Sequence, residues 1–572
     1  MKKIVLASLT FVFALAASAE DITINPGPGV DYDDRDIRAG SVNIFIKSGK
    51  VRLNSKNEYT GTTQIDGGTL ELTGAAPAGE PSEIGANGPV DLADGVLRYT
   101  GPAGAIFGHP ITNSLPSTDN PTSVAALDIQ NDLVLTNWFN TKFIPTVKYG
   151  KGSLILRGKK TTKEPNWFQF LQGASGLKGV NAASKQFVVP TDGTSPRTGF
   201  ENFGLLAGKI ILDEGTVQVS VTGNRAFFGG WTAGEGEEEA DIELVVNDGC
   251  AWTTANNHYF GQLHGFKNYN TPHGPAKAWL TINGGTYTAA GGQASRWGSM
   301  DAAPTVTLKD GTKKQLELNS DLRITVNKGG TWTHTTSRSG FFVLQRPGQK
   351  MTLTVDGGTY HDYLSSYGVN AVSGDVTGTV DIDVKNGGLF EVGELFFNGN
   401  AGTPHPGSTG RTNTPPITIS VTAGGVFSAQ WVTNFTSSVV DYVVDGGILQ
   451  NYNYNIYYNP SSGTPENICP HAEKVVVPPN ATSLTLGKGG VTVKSAGTCW
   501  DGGPNVVIIG KGFVASEDLP EGVQDGGVTI ECGTIENRVR IMELPRYHGP
   551  TKVTSGVLEL VGANNKLPDS SE

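Results

Sequence analysis

Residues 451–459 are the most distinctive chemical feature of this sequence, because all but one of them are asparagine or tyrosine. In a strand, successive side chains point to opposite faces, so Tyr452, Tyr454 and Tyr458 would share one face. Outward-facing rings, with Tyr457, would form an aromatic platform suited to stacking on sugar rings. Inward-facing rings would instead pack in the core and leave the asparagines exposed. Both interpretations stay open, and these four tyrosines are the candidate ligand-binding residues.

Two pairs of carboxylates could also act on a polysaccharide. They are Asp381 with Asp383, and Asp441 with Asp445. A glycosidase uses two carboxyl groups about 5–10 Å apart, and the sequence alone does not distinguish such a pair from surface residues. No zinc-protease motif, nucleophile elbow, phosphate loop or Cys-x-x-Cys pair occurs. We therefore assign no catalytic residue and no cofactor.

The acidic run at residues 31–36 could offer oxygen ligands to calcium. It lacks the glycine that the helix-loop-helix calcium motif has at its sixth position, so a solvated segment is favoured. A second acidic run, residues 235–241, is interpreted as an exposed loop. No metal site is predicted.

The composition excludes several classes of protein. Glycine supplies 77 of the 572 residues, about twice its usual share of ~7%. It has no strict period of three, which excludes collagen, and four cysteines are too few for a disulfide scaffold. The net charge is -11, whereas nucleic-acid-binding domains carry an excess of clustered basic residues, so this class is not indicated. The glycine excess favours many short strands joined by tight turns.

The first residues have the three-part pattern of a secretory leader. A basic start precedes the uncharged apolar run 4–17, and a small-x-small site ends at Ala19 before Glu20. We expect cleavage between Ala19 and Glu20, and a mature chain without a transmembrane segment, because no later apolar run approaches ~20 residues. The expected location is secreted, extracellular or at the outer-membrane surface.

A short pattern recurs along the chain: an alternating apolar run leads into Gly-Gly or Asx-Gly. The last glycines of its copies are residues 249, 285, 330, 358, 388, 425, 447, 490, 527 and 556. Alternation predicts strands with one buried face, and the glycines predict tight turns. Irregular repetition at 22–45 residues indicates a solenoid, and the shorter intervals are too short for propeller blades. We predict an all-β fold, a parallel β-helix (β-solenoid) with irregular coils of roughly 22–45 residues.

The repeat indicates which cysteines could lie close together. Cys469, Cys499 and Cys532 are spaced at about one coil, so neighbours could stack within disulfide reach. The candidate pairs are Cys499 with Cys532, or Cys469 with Cys499, and three stacked free thiols are an equal alternative. Cys250 lies several coils away and is expected to stay unpaired.

Two segments at opposite ends of the chain align closely. Residues 59–74 and 547–562 share the form Tyr-x-Gly-x-Thr-x-(Ile/Val)-x-x-Gly-x-Leu-Glu-Leu-x-Gly. This form resembles the autotransporter-associated β-strand repeat of secreted bacterial passenger proteins, and residues 148–158 look like its preceding half-repeat. The resemblance implies a right-handed parallel β-helix displayed at, or released from, a bacterial surface. It says little about activity.

We expect three regions: a signal peptide at 1–19, an N-terminal β-solenoid at 20–204, and a Gly-Gly-coil β-solenoid at 205–572. The sequence ends directly after the second repeat, so we expect a chain cut short or a passenger without its own anchor. The predicted function is that of a structural, adhesin-like surface protein. A β-helical polysaccharide lyase or glycoside hydrolase, or a carbohydrate-binding surface protein, is the alternative. The expected partner is a polysaccharide or a host or neighbouring cell surface.

Overall fold

The computed structural model describes the residues given at the end of this paragraph. Within them the chain is all-β, and no helix occurs. The described ranges are 21–27, 31–32, 40–53, 55–113, 125–141, 146–158, 168–172, 187–188, 197–198, 204–205, 207–221, 225–228, 241–254, 257–260, 267–269, 277–289, 295–297, 305–308, 313–315, 321–334, 340–343, 349–368, 378–397, 415–434, 439–451, 457–458, 465–466, 473–495 and 504–561.

Three long stacks of parallel strands, called sheets 1, 2 and 3, dominate the described residues. Sheets 1 and 2 together form a 31-stranded assembly, because some long strands pass through both, and sheet 3 has 13 strands. The shared strands are Thr63–Leu72, Val90–Tyr99, Thr359–Gly368, Leu389–Phe397 and Val426–Asn434.

The remaining strands follow one another in chain order within each sheet. Sheet 1 also contains Ile22–Ile24, Ile44–Ile46, Ile111–Thr112, Phe139–Thr141, Phe168–Gln172, Thr216–Val221, Ala251–Thr254, Thr286–Ala289, Thr331–His334, Gly447–Asn451, Val491–Ser495, Val528–Cys532 and Thr551–Ser555. Sheet 2 also contains Asp31–Tyr32, Lys50–Val51, Ala125–Ile129, Thr146–Tyr149, Gly204–Leu205, Arg225–Phe228, Asn257–Phe260, Ser295–Trp297, Gly340–Val343, Glu473–Val477, Val506–Ile509, Arg538–Ile541 and Val557–Leu560. Sheet 3 contains Ala105–Phe107, Leu133–Leu135, Ser153–Arg157, Gly208–Glu214, Ile242–Asn247, Lys277–Asn283, Asp321–Asn327, Gln349–Asp356, Gly378–Lys385, Ile417–Thr422, Val440–Asp445, Ser483–Leu486 and Val514–Ala515.

Three small sheets accompany these stacks. Two are antiparallel pairs, Phe187–Val188 with Arg197–Thr198 and Tyr457–Tyr458 with Pro465–Glu466. The third joins Lys267–Tyr269, Thr305–Leu308 and Lys313–Gln315.

Each strand of the three stacks pairs with its equivalent one coil later, which confirms the predicted parallel β-solenoid. In sheet 3, for example, Leu244 pairs with Leu280, and Leu280 pairs with Ile324. Ser153–Arg157 pairs with Gly208–Glu214, so sheet 3 includes strands from both sides of the expected boundary at residues 204 and 205. The division into two solenoid regions stays a prediction. The right-handed sense stays a prediction.

Period-two alternation fixes which side chains enter the core. In Lys277–Asn283 the apolar Leu280 and Ile282 are buried, while Thr281 between them lies on the outer face. The same alternation recurs in coil after coil, so apolar residues form one continuous core between the sheets. The core therefore grows by whole coils rather than by adding separate domains.

The recurring glycines up to Gly527 lie at the corner between sheets 3 and 1, whereas Gly556 lies between sheets 1 and 2. The two glycines of a Gly-Gly pair have different structural roles. Gly387 has a φ of +75°, and a Cβ on it would meet open space. A Cβ on Gly388 would lie 2.2 Å from the carbonyl oxygen of Val355 in the preceding coil. The first glycine supplies the left-handed turn, and the second lets two coils approach.

Aromatic rings stack inside the solenoid along sheet 1. Trp332 and Tyr360 are 4.3 Å apart between ring centroids and nearly coplanar, at 2°. Tyr360 lies 5.1 Å from Phe390, which lies 5.3 Å from Phe427. These residues are paired coil by coil, so the parallel register itself produces the stack.

A polar ladder marks the end of sheet 3. The side-chain amide of Asn283 donates to Asn247, and that of Asn327 donates to Asn283 at 2.7 Å. Asn247 in turn donates to Asp213 at 3.0 Å. Because each amide has both donors and an acceptor, identical side chains can link successive coils.

Candidate functional site

The tyrosine run is only partly described. Tyr457 and Tyr458 form a two-residue strand that pairs antiparallel with Pro465–Glu466. Tyr452 and Tyr454 lie outside the described residues. The choice between an outward platform and inward packing therefore stays a prediction.

Two tryptophans lie on the outer surface of the coils. Trp431 is 44% exposed, and its indole N–H donates to the hydroxyl of Thr433 at 2.8 Å. Trp279 is half-buried in sheet 3, with the Arg323 guanidinium 4.7 Å from its ring centroid and the Lys277 ammonium at 5.5 Å. A cation above an aromatic ring is attracted to the face of the ring by a cation–π interaction. Trp431 is thus the ring that is more open to a ligand.

The four candidate carboxylates lie on the outer side of sheet 3, and each has a partner within the chain. Asp383 pairs with Lys385 at 2.7 Å, and Asp381 lies 3.7 Å from the ammonium of Lys350. The hydroxyl of Ser483 donates to Asp441 at 2.5 Å, and Asp445 accepts the backbone N–H of Gly489 at 2.5 Å. These contacts link adjacent coils, or neighbouring residues of one strand.

The outer face of sheet 3 repeats similar polar groups from coil to coil. Thr281 pairs with Thr325, and Thr325 pairs with Thr354. Neighbouring strands lie about 4.8 Å apart, so equivalent hydroxyls recur at that interval along the solenoid. The face therefore presents a periodic surface.

A charged cluster joins three successive coils on sheet 2. Glu71 is almost fully buried and accepts a hydrogen bond from Arg52 Nε at 2.9 Å. The Lys50 ammonium lies 3.2 Å from the same carboxylate, and Arg98 Nε of the following coil lies 3.7 Å from it. Burial raises the pKa of Glu71, but the hydrogen bonds from Arg52 and Lys50 outweigh burial and leave this pKa below its usual value.

The second repeat copy rebuilds the preceding half of this cluster. Glu559, which occupies the position of Glu71 in the shared motif, accepts from Arg540 Nε at 2.8 Å and from Arg538 at 2.5 Å. Those hydrogen bonds lower the pKa of Glu559. The two arginines belong to the preceding coil, as Lys50 and Arg52 do in the first copy.

The other motif residues also have matching roles in the two copies. The Tyr59 hydroxyl lies 2.6 Å from the Thr63 hydroxyl, and Tyr547 is hydrogen-bonded to Thr551. A Cβ on Gly61 would lie 2.1 Å from the carbonyl oxygen of Val42, so only glycine fits there. The motif thus encodes one coil with a tyrosine–threonine contact in the core and a glutamate on the outer face of the strand, where cationic side chains contact it.

Sequence reasoning missed Lys148, which lies inside the solenoid. It occupies the inward position that Leu127 holds in the preceding coil. Its ammonium donates to the backbone carbonyls of Gly150, Gly152 and Ala207 at 2.8, 2.6 and 2.7 Å. Burial lowers the pKa of Lys148 to about 7. No sequence signal identifies this lysine as internal, because its acceptors are backbone atoms.

A second polar contact inside the solenoid was also missed. His334 and Asp362 are fully buried on adjacent coils, with Nδ1 and Oδ1 3.4 Å apart. Trp332 stacks on His334 at 6.1 Å between ring centroids. The contact is closed off from solvent and joins two coils.

Two of the four cysteines are described. Cys250 and Cys532 are both buried, and burial raises the pKa of the Cys250 thiol to about 11. Cys469 and Cys499 lie outside the described residues, so the disulfide pairings stay predictions. The sulfur of Cys532 packs at the corner glycine Gly556.

Metal and membrane features were searched for in the described residues. They contain no group of three or more His, Cys, Asp or Glu side chains placed to hold a metal ion. Among them, no helix has the length and apolar character needed to cross a membrane. The cleavage position, Ala19 and Glu20, lies outside them.

Comparison with known proteins gives no match: no family model, no curated protein and no solved structure resembles this chain significantly. The site residues must therefore be interpreted from their own geometry.

Proposed function

We propose that this protein is a secreted or surface-displayed bacterial structural protein of the adhesin-like, passenger type. The observation that carries the proposal is the solenoid itself, in which three parallel stacks continue coil after coil. Such a fold builds an extended scaffold with large lateral surfaces. The repeated motif at residues 59–74 and 547–562, which resembles the autotransporter-associated repeat, adds support.

The outer surface supports an adhesive role. Aligned side chains such as Thr281, Thr325 and Thr354 repeat along the long axis. An extended polymer with its own repeating groups can contact many equivalent positions at once, and such multivalent contact gives strong attachment from weak individual bonds. The leader-like first 19 residues would deliver the protein to that setting.

Expression of the full chain in a Gram-negative host tests the location. We expect the exported protein to begin at Glu20 on N-terminal sequencing and to be recovered outside the cytoplasm. The Ala19→Arg variant should keep the leader, because the cleavage site needs a small residue there. Recovery of wild-type protein in the cytoplasm with Met1 retained would contradict the proposal.

Carbohydrate binding is a second candidate, favoured by the exposed indole of Trp431. Exposed aromatic rings stack on the apolar faces of sugars. On a polysaccharide array, Trp431→Ala should weaken binding at least fivefold. Val439→Ala is the matched control, since Val439 is an equally exposed apolar side chain that lacks a ring. Release of new reducing ends from a bound polysaccharide would instead favour the hydrolase or lyase alternative.

A further inference from the structure

A buried histidine joins two coils at a corner between sheets 3 and 1. His109 is only 1% exposed, and its Nδ1 lies 2.7 Å from the backbone carbonyl oxygen of Gly88 in the preceding coil. A carbonyl oxygen can only accept a hydrogen bond, so Nδ1 carries the proton and donates it. We call this hydrogen bond the Gly88–His109 contact.

The other ring nitrogen of His109 is closed off from solvent. In the described part of the chain, its Nε2 has no hydrogen-bond partner. The Phe107 ring lies edge-on to the imidazole, 5.8 Å away between ring centroids. A neutral imidazole leaves Nε2 as a bare acceptor, whereas a second proton would make it a charged donor without an acceptor. Burial of such a group is strongly unfavourable.

The coils are closely packed around this ring. A Cβ on Gly88 would lie 1.7 Å from the carbonyl oxygen of Gly61. A Cβ on Gly108 would lie 2.3 Å from the backbone nitrogen of Ala78. The corner therefore offers no space into which a charged imidazole could turn.

Backbone hydrogen bonds hold the corner closed on both sides of the ring. The N–H of Gly108 donates to Ala76 at 2.7 Å, and the N–H of Val90 donates to Pro110 at 2.8 Å. A charged His109 can reach water only when these bonds between coils open.

The surroundings of His109 do not compensate a positive charge. Burial lowers the pKa of His109, and the hydrogen bond to Gly88 offsets only part of this effect. Among the described residues, no carboxylate or cation contributes to the shift. Glu83, on the connection that leads to Gly88, accepts the N–H of Thr73 at 2.8 Å, and burial raises its pKa. Acid therefore acts on Glu83 in the opposite sense.

The lowered pKa fixes the direction of the pH dependence. An unfolded histidine takes up its proton near pH 6.5, whereas folded His109 takes it up only at lower pH. The open corner thus binds the proton first as the pH falls. The stabilisation by His109 is complete above about pH 6.5 and is lost as the pH drops through the folded value.

We propose that the Gly88–His109 contact is an acid-sensitive device, which opens the corner between these two coils in mildly acidic surroundings and closes it again near neutrality. A solenoid is held together by contacts between neighbouring coils, so one corner can open while distant coils stay folded.

Amide hydrogen exchange of the full 572-residue chain, followed by mass spectrometry and corrected for the intrinsic effect of pH, tests the proposal. Between pH 7.5 and pH 5, the protection of the Val90 and Gly108 amides should fall at least tenfold and recover on return to pH 7.5. The His109→Asn variant should lose this response, because its side-chain amide can still donate to the Gly88 carbonyl but takes up no proton in this range.

Two controls separate this opening from general acid unfolding. The amides of Lys277–Asn283, on distant coils of sheet 3, should keep their protection in the same samples. His548→Asn replaces a histidine whose side chain is 71% exposed, and it should leave the response at Gly108 unchanged.

Three results would overturn the proposal. The first is unchanged protection at Val90 and Gly108 across this pH range. The second is the same loss of protection in His109→Asn as in wild type. The third is simultaneous loss at Lys277–Asn283, which would mean that the whole chain unfolds.

A measurement on the wild-type chain keeps the test valid even if His109→Asn fails to fold. Exchange of the imidazole Cε1 hydrogen of His109, followed by mass spectrometry against pH, reports the protonation of this ring. Its midpoint should lie below about pH 6.5, and a midpoint at or above that value would contradict the proposal.

Discussion

At the scale of single residues, the most unusual feature is a charged side chain in an apolar column. Lys148 lies where neighbouring coils place leucine, and three carbonyl oxygens surround its ammonium. One of these belongs to Ala207, after a long stretch of chain, and the other two to the corner that follows Lys148. All three N–H donors of an ammonium are thereby used. Lys148 thereby links the corner that follows it to Ala207 in the next coil.

Lys148→Met keeps the apolar stem but removes the ammonium, leaving three buried carbonyls without this donor. We expect the free energy of unfolding to fall by about 3–5 kcal/mol, as for loss of one partner of a buried charged contact. Urea denaturation followed by circular dichroism measures the change. Lys151→Met, at an exposed position of the same corner, is the control and should stay within about 0.5 kcal/mol of wild type. Equal stability of both variants would contradict the structural role.

At the scale of elements, the corners and ladders decide how coils are joined. The Gly-Gly corner combines a left-handed turn with a close approach between coils, as at Gly387 and Gly388. On sheet 2, Glu71 gathers cations from two coils around one buried carboxylate. The Gly-Gly corner and the Glu71 cluster both depend on the parallel register, because the register places residues of different coils side by side.

The two glycines of one corner give a matched pair of substitutions. Gly387→Ala forces a side chain into left-handed backbone without a clash, which should destabilise the fold by about 1–2 kcal/mol. Gly388→Ala would drive a Cβ against the Val355 carbonyl oxygen, so its effect should be distinctly larger. Thermal and urea unfolding of both variants measure the order. A larger effect at Gly387 would show that the close approach is not limiting.

The charged cluster predicts a dependence of stability on pH. Because the pKa of Glu71 is lower in the fold than in the unfolded chain, the unfolded chain binds its proton first as the pH falls. The stabilisation is therefore present above about pH 4.3 and is lost as the pH drops through the folded value. Glu71→Gln should lose about 2 kcal/mol at pH 7 and approach wild type near pH 3. Parallel curves across pH 3–7 would refute the assignment.

The elements were the part most readable from sequence. Alternation such as that around Leu280 and Ile282 indicates strands, and the Gly-Gly spacing indicates corners, because both signals are local. Neither Lys148 nor the His334–Asp362 contact could be predicted from the sequence. The acceptors of Lys148 are backbone carbonyls, one of them on the distant Ala207, and Asp362 lies on the coil after that of His334. The roles of Tyr452 and Tyr454 stay predictions.

At the scale of the whole molecule, a solenoid has no single centre. Each coil pairs its strands only with those of the adjacent coils, so stability is close to a sum of coil and interface contributions. The glycine excess that first suggested many turns is thus a consequence of one architecture repeated.

Removal of one whole coil should therefore be tolerated. Deleting residues 389–425 joins Gly388 to Val426, and these ends fit because Leu389 and Val426 are register partners. The shortened chain should keep its β-type circular dichroism and unfold within about 1 M urea of wild type. Deleting residues 389–407 removes a part of a coil and shifts the register, so that variant should fail to fold. Failure of both deletions would argue against a modular solenoid.

The ring stack through Trp332, Tyr360, Phe390 and Phe427 also makes the protein optically distinctive. Chromophores held a few ångströms apart in fixed orientation couple their electronic transitions, and a buried indole such as that of Trp332 emits at shorter wavelength than one in water. The near-ultraviolet circular dichroism spectrum therefore reports whether these coils of the solenoid are still packed together. Separation of these coils would reduce the near-ultraviolet circular dichroism signal and shift the tryptophan fluorescence to longer wavelength at the same time. No added label is needed to follow it.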